Sequence, residues 1–452
     1  MKRWILSFFT LVLVITIFAG CSGSKDAVTT DSGTANKNVE EKPDKGTVEI
    51  QWITHTAETP EDEDYTRNLI AGFEEKNAGI KIKWMPNKDP DLLVKQQLAA
   101  GGGPDIIMTD GPTTLKQLAA SGYLVDLDKY SQQYGWKDRF FEWAYNTVLH
   151  DGKLMGVPGG YETLVVYYNK DMFDKNGWEI PTSYEELISL AEKIDKENIM
   201  PFAFGSSDFK ASNEWWLSEA FNATLGPDEF KKVLTGETQW NDEKMVDAVT
   251  KLTDLWQKGY INQKLSHAIS IDDAWNLFYS NKAAMKMEGT WGLQGIIDQN
   301  PDFQWDVFML PAWSNGVEDN LPLALGDATG INANSKHPDE VAVFLDYLFS
   351  VERAQYEVTR GAFYPVNGVD AASIEGLDPH ISKTYDMLSQ AMAEKKTGYA
   401  AWTYWPPNTE TYLWDNLDSV FLGQLSVENY LDKAQLEADK DKADNKLFDF
   451  GQ

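Results

Sequence analysis

The segment that most constrains the fold of this 452-residue chain is the apolar run Leu-Val-Val-Tyr-Tyr at residues 164–168. Its β-branched and aromatic residues do not alternate with polar ones, and this pattern predicts a strand that is buried on both faces. Strands of this kind are typical of sheets covered by helices on both sides. We therefore predict an α/β fold.

Two helices are predicted after this strand. Asn169, Lys170 and Asp171 form a turn that begins a short helix, and Gly177 ends it, because glycine accepts the left-handed conformation at a helix C-terminus. Ser183 is the expected N-cap of a second, longer helix, with Glu186 as its capping-box partner. A strand, a turn and a helix are common in α/β proteins, so none of them identifies a family alone.

The whole stretch is more specific than its parts. It runs Tyr-Tyr-Asn-Lys-Asp-x-Phe at residues 167–173, then Asn-Gly at 176–177 and Pro-Thr-Ser-Tyr-Glu-Glu at 181–186. This pattern closely resembles the first crossover of the extracellular solute-binding proteins of ABC sugar importers, the maltose-binding-protein-like family. The resemblance implies a two-lobed, type II periplasmic-binding-protein-like fold, with a hinge and an interlobe cleft that holds the ligand.

Length and charge agree with a large protein that binds neither nucleic acid nor anionic membrane surfaces. A chain of 452 residues can bury two cores. Its net charge of −30 disfavours partners that need a positive protein face. The glycines at 101–103 are not followed by the Gly-Lys-Ser/Thr of a phosphate loop, and they precede a strand rather than a helix. We expect no cofactor and no bound metal.

The N-terminus has the features of a bacterial lipoprotein signal. Lys2 and Arg3 precede an apolar run at residues 4–18, which ends in Ala19-Gly20-Cys21. A transmembrane anchor is the alternative, but the run falls short of the ~20 residues that a span needs. We predict that Cys21, the one cysteine of the chain, carries the lipid that anchors the protein to the cell membrane on the extracytoplasmic side.

The resemblance and the composition together predict a division of the chain. Residues 1–20 are the signal peptide, and the polar residues 21–46 are a flexible tether. Lobe one is predicted to comprise residues 47–160 and 326–375, and lobe two residues 161–325 and 376–452. The chain would cross between them at Gly159-Gly160 and again at Gly326-Asp327, where the family usually has a paired glycine.

Two candidate binding residues belong to lobe one. A strand at 48–53, a helix at 62–77 and a strand at 80–84 form a parallel crossover, and ligands in such sheets lie at the carboxyl ends of strands, near His55. Gly-Pro-Asp at 103–105 and the strand that follows resemble a turn of the same family whose next residues meet the sugar. Asp110 is the matching position.

Three candidates belong to lobe two. The resemblance places Glu162 in contact with sugar, and a salt bridge within the hinge is its alternative. Trp215 and Trp216 point about 100° apart on a helix, so we expect one of them, Trp215, to line the cleft. Trp291 stands in a Gly-x-Trp junction between a strand and a helix, where strand ends face ligand. Packing in the core is the alternative for Trp291.

The remaining candidates are Asp327 and an aromatic cluster at 399–407. Because the prolines forbid a continuous helix there, we expect exposed rings on a loop, namely Trp402, Tyr404 and Trp405. Ordinary packing in the core is the alternative for these rings. A neutral sugar offers an apolar C–H face that suits aromatic rings, and hydroxyl groups that suit carboxylates. Asp110, Glu162 and Asp327 are the expected acceptors.

The sequence therefore predicts the substrate-binding lipoprotein of an ABC importer, a monomer that captures a neutral oligosaccharide and delivers it to the transmembrane permease subunits. We do not expect an enzyme, because the chain has no Gly-x-Ser-x-Gly, His-Glu-x-x-His or Walker lysine. Two alternatives remain at this stage. One is a secreted glycan hydrolase that uses two cleft carboxylates, and the other is a solute-binding protein for a non-sugar ligand such as a peptide.

Overall fold

The computed structural model describes residues 46–57, 59–88 and 90–450. The predicted signal peptide, the lipid-bearing Cys21 and nearly all of the predicted tether lie outside these residues.

The strands are short, as expected for an α/β protein. Their bounds are β1 (Val48–His55), β2 (Ile80–Asn87), β3 (Ile106–Asp110), β4 (Leu149–His150), β5 (Lys153–Leu154), β6 (Val157–Pro158), β7 (Tyr161–Glu162), β8 (Leu164–Asn169), β9 (Met200–Ala203), β10 (Ala283–Gly289), β11 (Trp305–Phe308), β12 (Leu321–Leu325), β13 (Asp327–Ile331) and β14 (Thr397–Tyr399).

Helices connect most of these strands. Their bounds are α1 (Pro60–Lys76), α2 (Pro90–Ala99), α3 (Pro112–Ala120), α4 (Asp128–Tyr134), α5 (Trp136–Arg139), α6 (Glu142–Thr147), α7 (Lys170–Asn176), α8 (Tyr184–Lys196), α9 (Asn213–Leu225), α10 (Pro227–Leu234), α11 (Glu243–Gln257), α12 (Ile271–Tyr279), α13 (Gly292–Gln299), α14 (Pro338–Leu348), α15 (Val351–Val358), α16 (Pro379–Ala393), α17 (Ala401–Tyr404), α18 (Pro407–Phe421) and α19 (Val427–Ala443).

The first lobe is built on a five-stranded sheet in the order β2-β1-β3-β13-β6. Strand β1 pairs in parallel with β2 and β3, which confirms the predicted crossover, whereas β13 runs antiparallel to β3 and β6. Helices bury their apolar faces on this sheet, as Phe73 of α1 and Phe344 of α14 do when their rings meet edge to face. The carboxyl ends of β1 and β3 lie at one edge of the sheet.

The second lobe is built on a four-stranded sheet in the order β11-β8-β10-β9. Strand β8 corresponds to the apolar run of the sequence, and it pairs antiparallel with both β10 and β11. Five of its six residues are buried, so the prediction of a strand covered on both faces is confirmed. All seven residues of β10 are buried as well, although two of them are charged.

A three-stranded sheet in the order β14-β12-β7 lies where the chain passes between the two larger sheets. The chain leaves β6 of the first lobe and enters β7 across the two residues Gly159 and Gly160, and it returns from β12 to β13 across the single residue Gly326. Two backbone hydrogen bonds join these passages. The Gly159 N–H donates to the Asp327 carbonyl at 2.9 Å, and the Gly326 N–H donates to the Gly160 carbonyl at 2.7 Å.

The helix ends near residue 177 largely follow the sequence. Gly177 ends α7 with φ of 65°, and Ser183 caps α8 by accepting a hydrogen bond from the Glu186 N–H. The predicted capping box is wrong in one respect. The Glu186 carboxylate accepts from the N–H and hydroxyl of Thr182, both at 2.8 Å, rather than from the N–H of the cap residue itself.

Helix α9 carries the two adjacent tryptophans, of which Trp215 is predicted to line the cleft. Every residue of α9 is buried, because helices and sheets surround it on all sides. A helix buried all round has no solvent face, so Trp215 and Trp216 both pack inside despite pointing in different directions. Trp215 nevertheless contacts the candidate site, as described below.

The aromatic cluster at 399–407 differs most from its prediction. Pro407 begins α18, but the residues before it form the four-residue helix α17 instead of a loop. Tyr404 is 6% exposed and stacks against Phe450 with its ring edge-on to Phe448, while Trp405 is 1% exposed among Phe221, Phe230 and Trp240. These two rings are part of the core.

Within the described residues, no helix combines the length and the apolar character that a membrane span requires.

We predict that Gly111→Ala destabilises the protein far more than Gly122→Ala. Both glycines have positive φ, 81° and 74°, so alanine costs about 1–2 kcal/mol at either position. A Cβ at residue 111 would lie 2.3 Å from the Trp402 carbonyl oxygen, whereas nothing lies within 4 Å of one at residue 122. Urea unfolding should show a further loss of about 1–3 kcal/mol for Gly111→Ala. Equal losses would mean that the contact with α17 is absent in solution.

Candidate ligand-binding site

Two carboxylates lie against the glycines Gly159 and Gly326, where the chain passes between the lobes. Glu162 is on β7 and Asp327 is the first residue of β13, and both are partly buried. A Cβ at Gly326 would be 2.6 Å from the Glu162 carboxylate, and one at Gly159 would be 1.8 Å from the Asp327 Oδ2. Only glycine leaves the space that these carboxylates occupy.

Strand pairing brings Asp110 and His55 to the same place. Asp110 ends β3 and faces Asp327 in the antiparallel register of β3 and β13. His55 ends β1, and its Nε2 lies 3.1 Å from Asp110 Oδ1 on an exposed surface. The Asp327 Oδ1 accepts a hydrogen bond of 2.8 Å from the Gly160 N–H. The strand ends therefore form an acidic edge of Asp110, Asp327 and the nearby Glu162.

Burial raises the pKa of two of these carboxyl groups, those of Glu162 and Asp327. Burial raises the pKa of Glu162 to about 8, and the negative charges of Asp327 and Asp110 add to this, against the opposing hydrogen bond from Trp402. Burial likewise raises the pKa of Asp327 to about 6, and Gly160 and His55 oppose the rise while Asp110 adds to it. Near neutral pH Glu162 is therefore protonated in a large share of molecules, and it can donate as well as accept a hydrogen bond.

Three indole rings continue the site from Glu162. The Trp402 Nε1–H donates to Glu162 Oε1 at 2.9 Å. Trp402 meets Trp291 edge to face with centroids 5.8 Å apart and planes at 78°, and Trp291 in turn contacts Trp215 at 5.3 Å. Trp291 is 40% exposed, which is rare for a ring of this size. The rings form an aromatic surface next to the acidic edge.

Trp291 also has a buried partner that the sequence analysis missed. Its Nε1–H donates to Glu288 Oε1 at 3.1 Å, and the other oxygen of Glu288 accepts from Lys286. Glu288 stands three residues before Trp291, and a charged pair inside an otherwise apolar strand was the available signal.

A second missed feature is a pair of buried acids, Glu214 and Glu410, whose carboxyl groups are hydrogen-bonded to each other. Burial raises the pKa of Glu214 to about 8, and Glu162 adds to this rise. Burial raises the pKa of Glu410 strongly too, with the Glu214 charge adding to it. Since two adjacent carboxylates cannot both ionise in such surroundings, the pair holds at least one proton at neutral pH.

The structure thus joins seven of the nine predicted ligand-binding residues into one connected group and leaves two out. The seven are His55, Asp110, Glu162, Trp215, Trp291, Asp327 and Trp402. The two left out are Tyr404 and Trp405, whose rings lie in the core. Among the described residues, no three His, Cys, Asp or Glu side chains are placed to hold a metal ion.

Two cavities lie outside this group. One of about 720 Å³ is lined by residues of α16 and neighbouring strands, including Lys383 and Glu394. The other, of about 510 Å³, lies between α6, β14 and the C-terminal Phe448 and Phe450, and Tyr404 lines it. Neither combines an exposed indole with converging carboxylates, so the chemistry favours the group around Glu162.

We predict that Glu162→Gln changes how stability depends on pH. The folded carboxyl holds its proton up to about pH 8, whereas an unfolded glutamate loses it near pH 4.3, so the folded state binds more protons between these values. The contribution of Glu162 to the free energy of unfolding therefore falls as pH rises through this window. Urea unfolding from pH 4.5 to 8.5 should show the stability of the wild type falling relative to that of Glu162→Gln.

Glu186→Gln is the control for this measurement. Hydrogen bonds from the N–H and the hydroxyl of Thr182 lower the pKa of Glu186 in the folded protein. Its contribution to the free energy of unfolding is therefore lost only as pH falls below the pKa of an ordinary glutamate. The difference between the wild type and Glu186→Gln should stay flat from pH 5 to 8.5. A flat difference for Glu162→Gln as well would contradict a protonated Glu162.

Comparison with known proteins relates this chain to one family. The family model of the bacterial extracellular solute-binding proteins matches residues 56–355, more than half of the chain. A multiple sugar-binding protein of Streptococcus mutans is 24% identical over 351 residues, which are 76% of this chain and 81% of that protein. The maltodextrin-binding protein of Bacillus subtilis is 25% identical over 295 residues, which are 63% and 66% of the two chains.

Solved structures share the fold. A chitin oligosaccharide binding protein superposes with a TM-score of 0.78 at 22% identity, over 88% of this chain and 99% of the other. The solute-binding protein RafE in complex with raffinose superposes with a TM-score of 0.71 at 23% identity, over 88% and 100%. These two-lobed proteins confirm the predicted fold class.

Proposed function

Because this chain belongs to the bacterial extracellular solute-binding protein family, we propose that it is the substrate-binding lipoprotein of an ABC importer for a neutral oligosaccharide. The protein captures the glycan between its lobes and delivers it to the transmembrane permease subunits. The observation that carries this proposal is the exposed indole of Trp291 beside the acidic edge of Asp110, Asp327 and Glu162.

The aromatic surface suits the apolar side of a sugar. A pyranose ring presents C–H groups on one face, and these pack on a flat π-system. Trp291 has the exposed surface for this contact, and Trp402 stands nearly perpendicular to it, so the two rings form a corner. Several rings at one site suit a chain of sugar units better than a single unit.

The acidic edge suits sugar hydroxyl groups. The side-chain oxygens of Asp110 and Asp327 accept hydrogen bonds, and each carboxyl group has more lone pairs than its protein partners use. Glu162 gives one oxygen to Trp402, and its other oxygen serves the ligand as an acceptor or, when protonated, as a donor. A site with both kinds of group discriminates well, because an analogue that lacks a hydroxyl leaves a buried polar group unpaired.

The relatives support the carbohydrate class. Their names describe binding of multiple sugars and of maltodextrin, and a structural neighbour holds raffinose. The family and these relatives are binding proteins, and we infer that this chain is likewise not an enzyme.

The lobes we assign are residues 47–160 with 326–375, and residues 161–325 with 376–452. The sheet compositions and the passages of the chain at Gly160 and Gly326 support these limits. A ligand that contacts Asp110 on one lobe and Trp291 on the other stabilises the closed form by contacts made only there. We propose that the protein works as a monomer, since one cleft contains the whole site.

Binding to a glycan panel tests the proposal. A fragment that starts at Thr47 is titrated calorimetrically with maltotriose, raffinose, chitotriose, a uronic acid, an amino acid and a tripeptide. We expect micromolar affinity, about −8 kcal/mol, for a neutral oligosaccharide that is recovered intact. Recovery of cleaved glycan would favour a hydrolase, and binding of the tripeptide alone would refute the sugar.

Trp291→Ala locates the ligand. Loss of the stacking ring should weaken glycan binding at least tenfold and leave the fold intact, as judged by circular dichroism, because this side chain is 40% exposed. Tyr356→Ala is the control, since Tyr356 is 48% exposed and stacks on Tyr65 of α1, away from the site. Unchanged affinity of Trp291→Ala would place the ligand elsewhere.

Cys21→Ser tests the anchor. We propose that Cys21 becomes the lipid-bearing N-terminus and holds the protein outside the cytoplasmic membrane, where two acyl chains are enough for stable attachment. The full-length variant should appear in the soluble extracytoplasmic fraction, while the wild type sediments with membranes. Sedimentation of the variant with membranes would show that another segment anchors the chain.

A further inference from the structure

We propose that Glu288 is a positioning residue that fixes the Trp291 ring in the ligand-binding cleft, and that buried Lys286 serves as its counter-ion. This inference rests on the proposed function, and it adds the hydrogen bond that holds the Trp291 ring in place.

The buried position of the two charges needs an explanation. Lys286 is 1% exposed and Glu288 is 4% exposed, and both lie on β10 between its two neighbouring strands. They are two residues apart, so their side chains leave the same face of the sheet and form an ion pair. Burying two charges is costly, and replacing a buried pair by apolar residues of similar size is often neutral or stabilising. Stability alone therefore does not account for this pair.

The contacts of Glu288 lead to the site. One oxygen accepts from Lys286, and the other accepts from the Trp291 Nε1–H at 3.1 Å. Lys286 is held in turn above the Trp275 ring, 4.5 Å from its centroid. Trp291 is the exposed member of this group. The buried pair thus provides a fixed acceptor for Trp291, the most exposed of the three indole rings at the site.

The backbone of Gly289, next to Glu288, also packs against the Trp291 ring. A Cβ at Gly289 would lie 1.9 Å from a carbon of the Trp291 ring, so the indole occupies the space that a side chain at residue 289 would take. The Tyr167 hydroxyl donates to the Gly289 carbonyl at 2.7 Å and holds that backbone in place. Trp215 and Trp402 bound the ring on other sides.

A fixed ring binds ligand better than a free one. An exposed tryptophan samples several rotamers, and ordering a side chain on binding costs about 0.5–1.5 kcal/mol. The hydrogen bond to Glu288 selects one orientation before the ligand arrives. Glu288 contributes to affinity through Trp291, without touching the ligand.

Two double variants isolate this hydrogen bond. Lys286→Met with Glu288→Gln removes both charges and keeps a carbonyl acceptor, whereas Lys286→Met with Glu288→Leu removes the acceptor as well. The two differ little in side-chain size and leave no charge unpaired. We expect the leucine variant to bind the best glycan of maltotriose, raffinose and chitotriose about fivefold more weakly than the glutamine variant, the effect of one hydrogen bond. Their melting temperatures should be similar.

The same two double variants are then compared in a Trp291→Phe background, because phenylalanine keeps a ring but has no N–H to donate to residue 288. In this background the leucine and glutamine variants should bind equally. A fivefold difference that persists there would show that residue 288 acts on the ligand directly, and equal affinities in the tryptophan background would show that it has no role. Either result would overturn the inference.

A spectroscopic readout works without any ligand. The indole ¹⁵N–¹H signal of Trp291, assigned by its loss in Trp291→Phe, should exchange slowly with solvent in the wild type and the glutamine variant and faster in the leucine variant. Unchanged exchange in the leucine variant would refute the positioning role. If no glycan binds, the proposed function fails, and this measurement still decides the role of Glu288.

Discussion

The rest of the site depends on one constraint: the two backbone segments that connect the lobes are hydrogen-bonded to each other at Gly159, Gly160 and Gly326. The hydrogen bonds between Gly159 and Asp327 and between Gly326 and Gly160 hold the passages of the chain side by side. A side chain on Gly159 or Gly326 would occupy the space of a carboxylate. The same contact therefore joins the lobes and sets Asp327 opposite Asp110 on β3. The two passages of the chain and the candidate site therefore share the same backbone segments.

The helix α17 extends this arrangement to the aromatic surface. Its consecutive side chains go to different places: Trp402 donates to Glu162, Thr403 exchanges hydrogen bonds with the backbone of Leu325, and Tyr404 packs on Phe448. The Trp402 carbonyl rests on Gly111 of the first lobe. A four-residue helix thus contacts both lobes, which explains why one ring of the predicted cluster is in the site and its neighbours are in the core.

The predictions from sequence succeeded where the determining signal is local. The apolar run before Asn169, the cap at Ser183 and the strand-to-helix junction at Trp291 are each fixed by adjacent residues, and the structure has all three. They failed where packing decides. Trp405 looks exposed beside prolines, but partners from distant helices bury it. The charged pair of β10 is visible in the sequence, but the contact of Glu288 with Trp291 depends on a ring orientation that no local pattern encodes.

Some carboxyl groups near the site have a basic side chain beside them and others have only neutral hydrogen-bond donors. This difference affects which ligand charge the site favours. Glu288 pairs with Lys286 and Asp110 lies beside His55, whereas Glu162 and Asp327 accept hydrogen bonds from the neutral donors Trp402 and Gly160. Neutral donors do not offset the burial of a charge, so the pKa of Glu162 rises to about 8. An anionic ligand would meet the negative charge of Asp327, whose pKa of about 6 leaves it ionised at neutral pH. A neutral polyhydroxy ligand meets acceptors and one protonated carboxyl group, and the electrostatics of the site favour it.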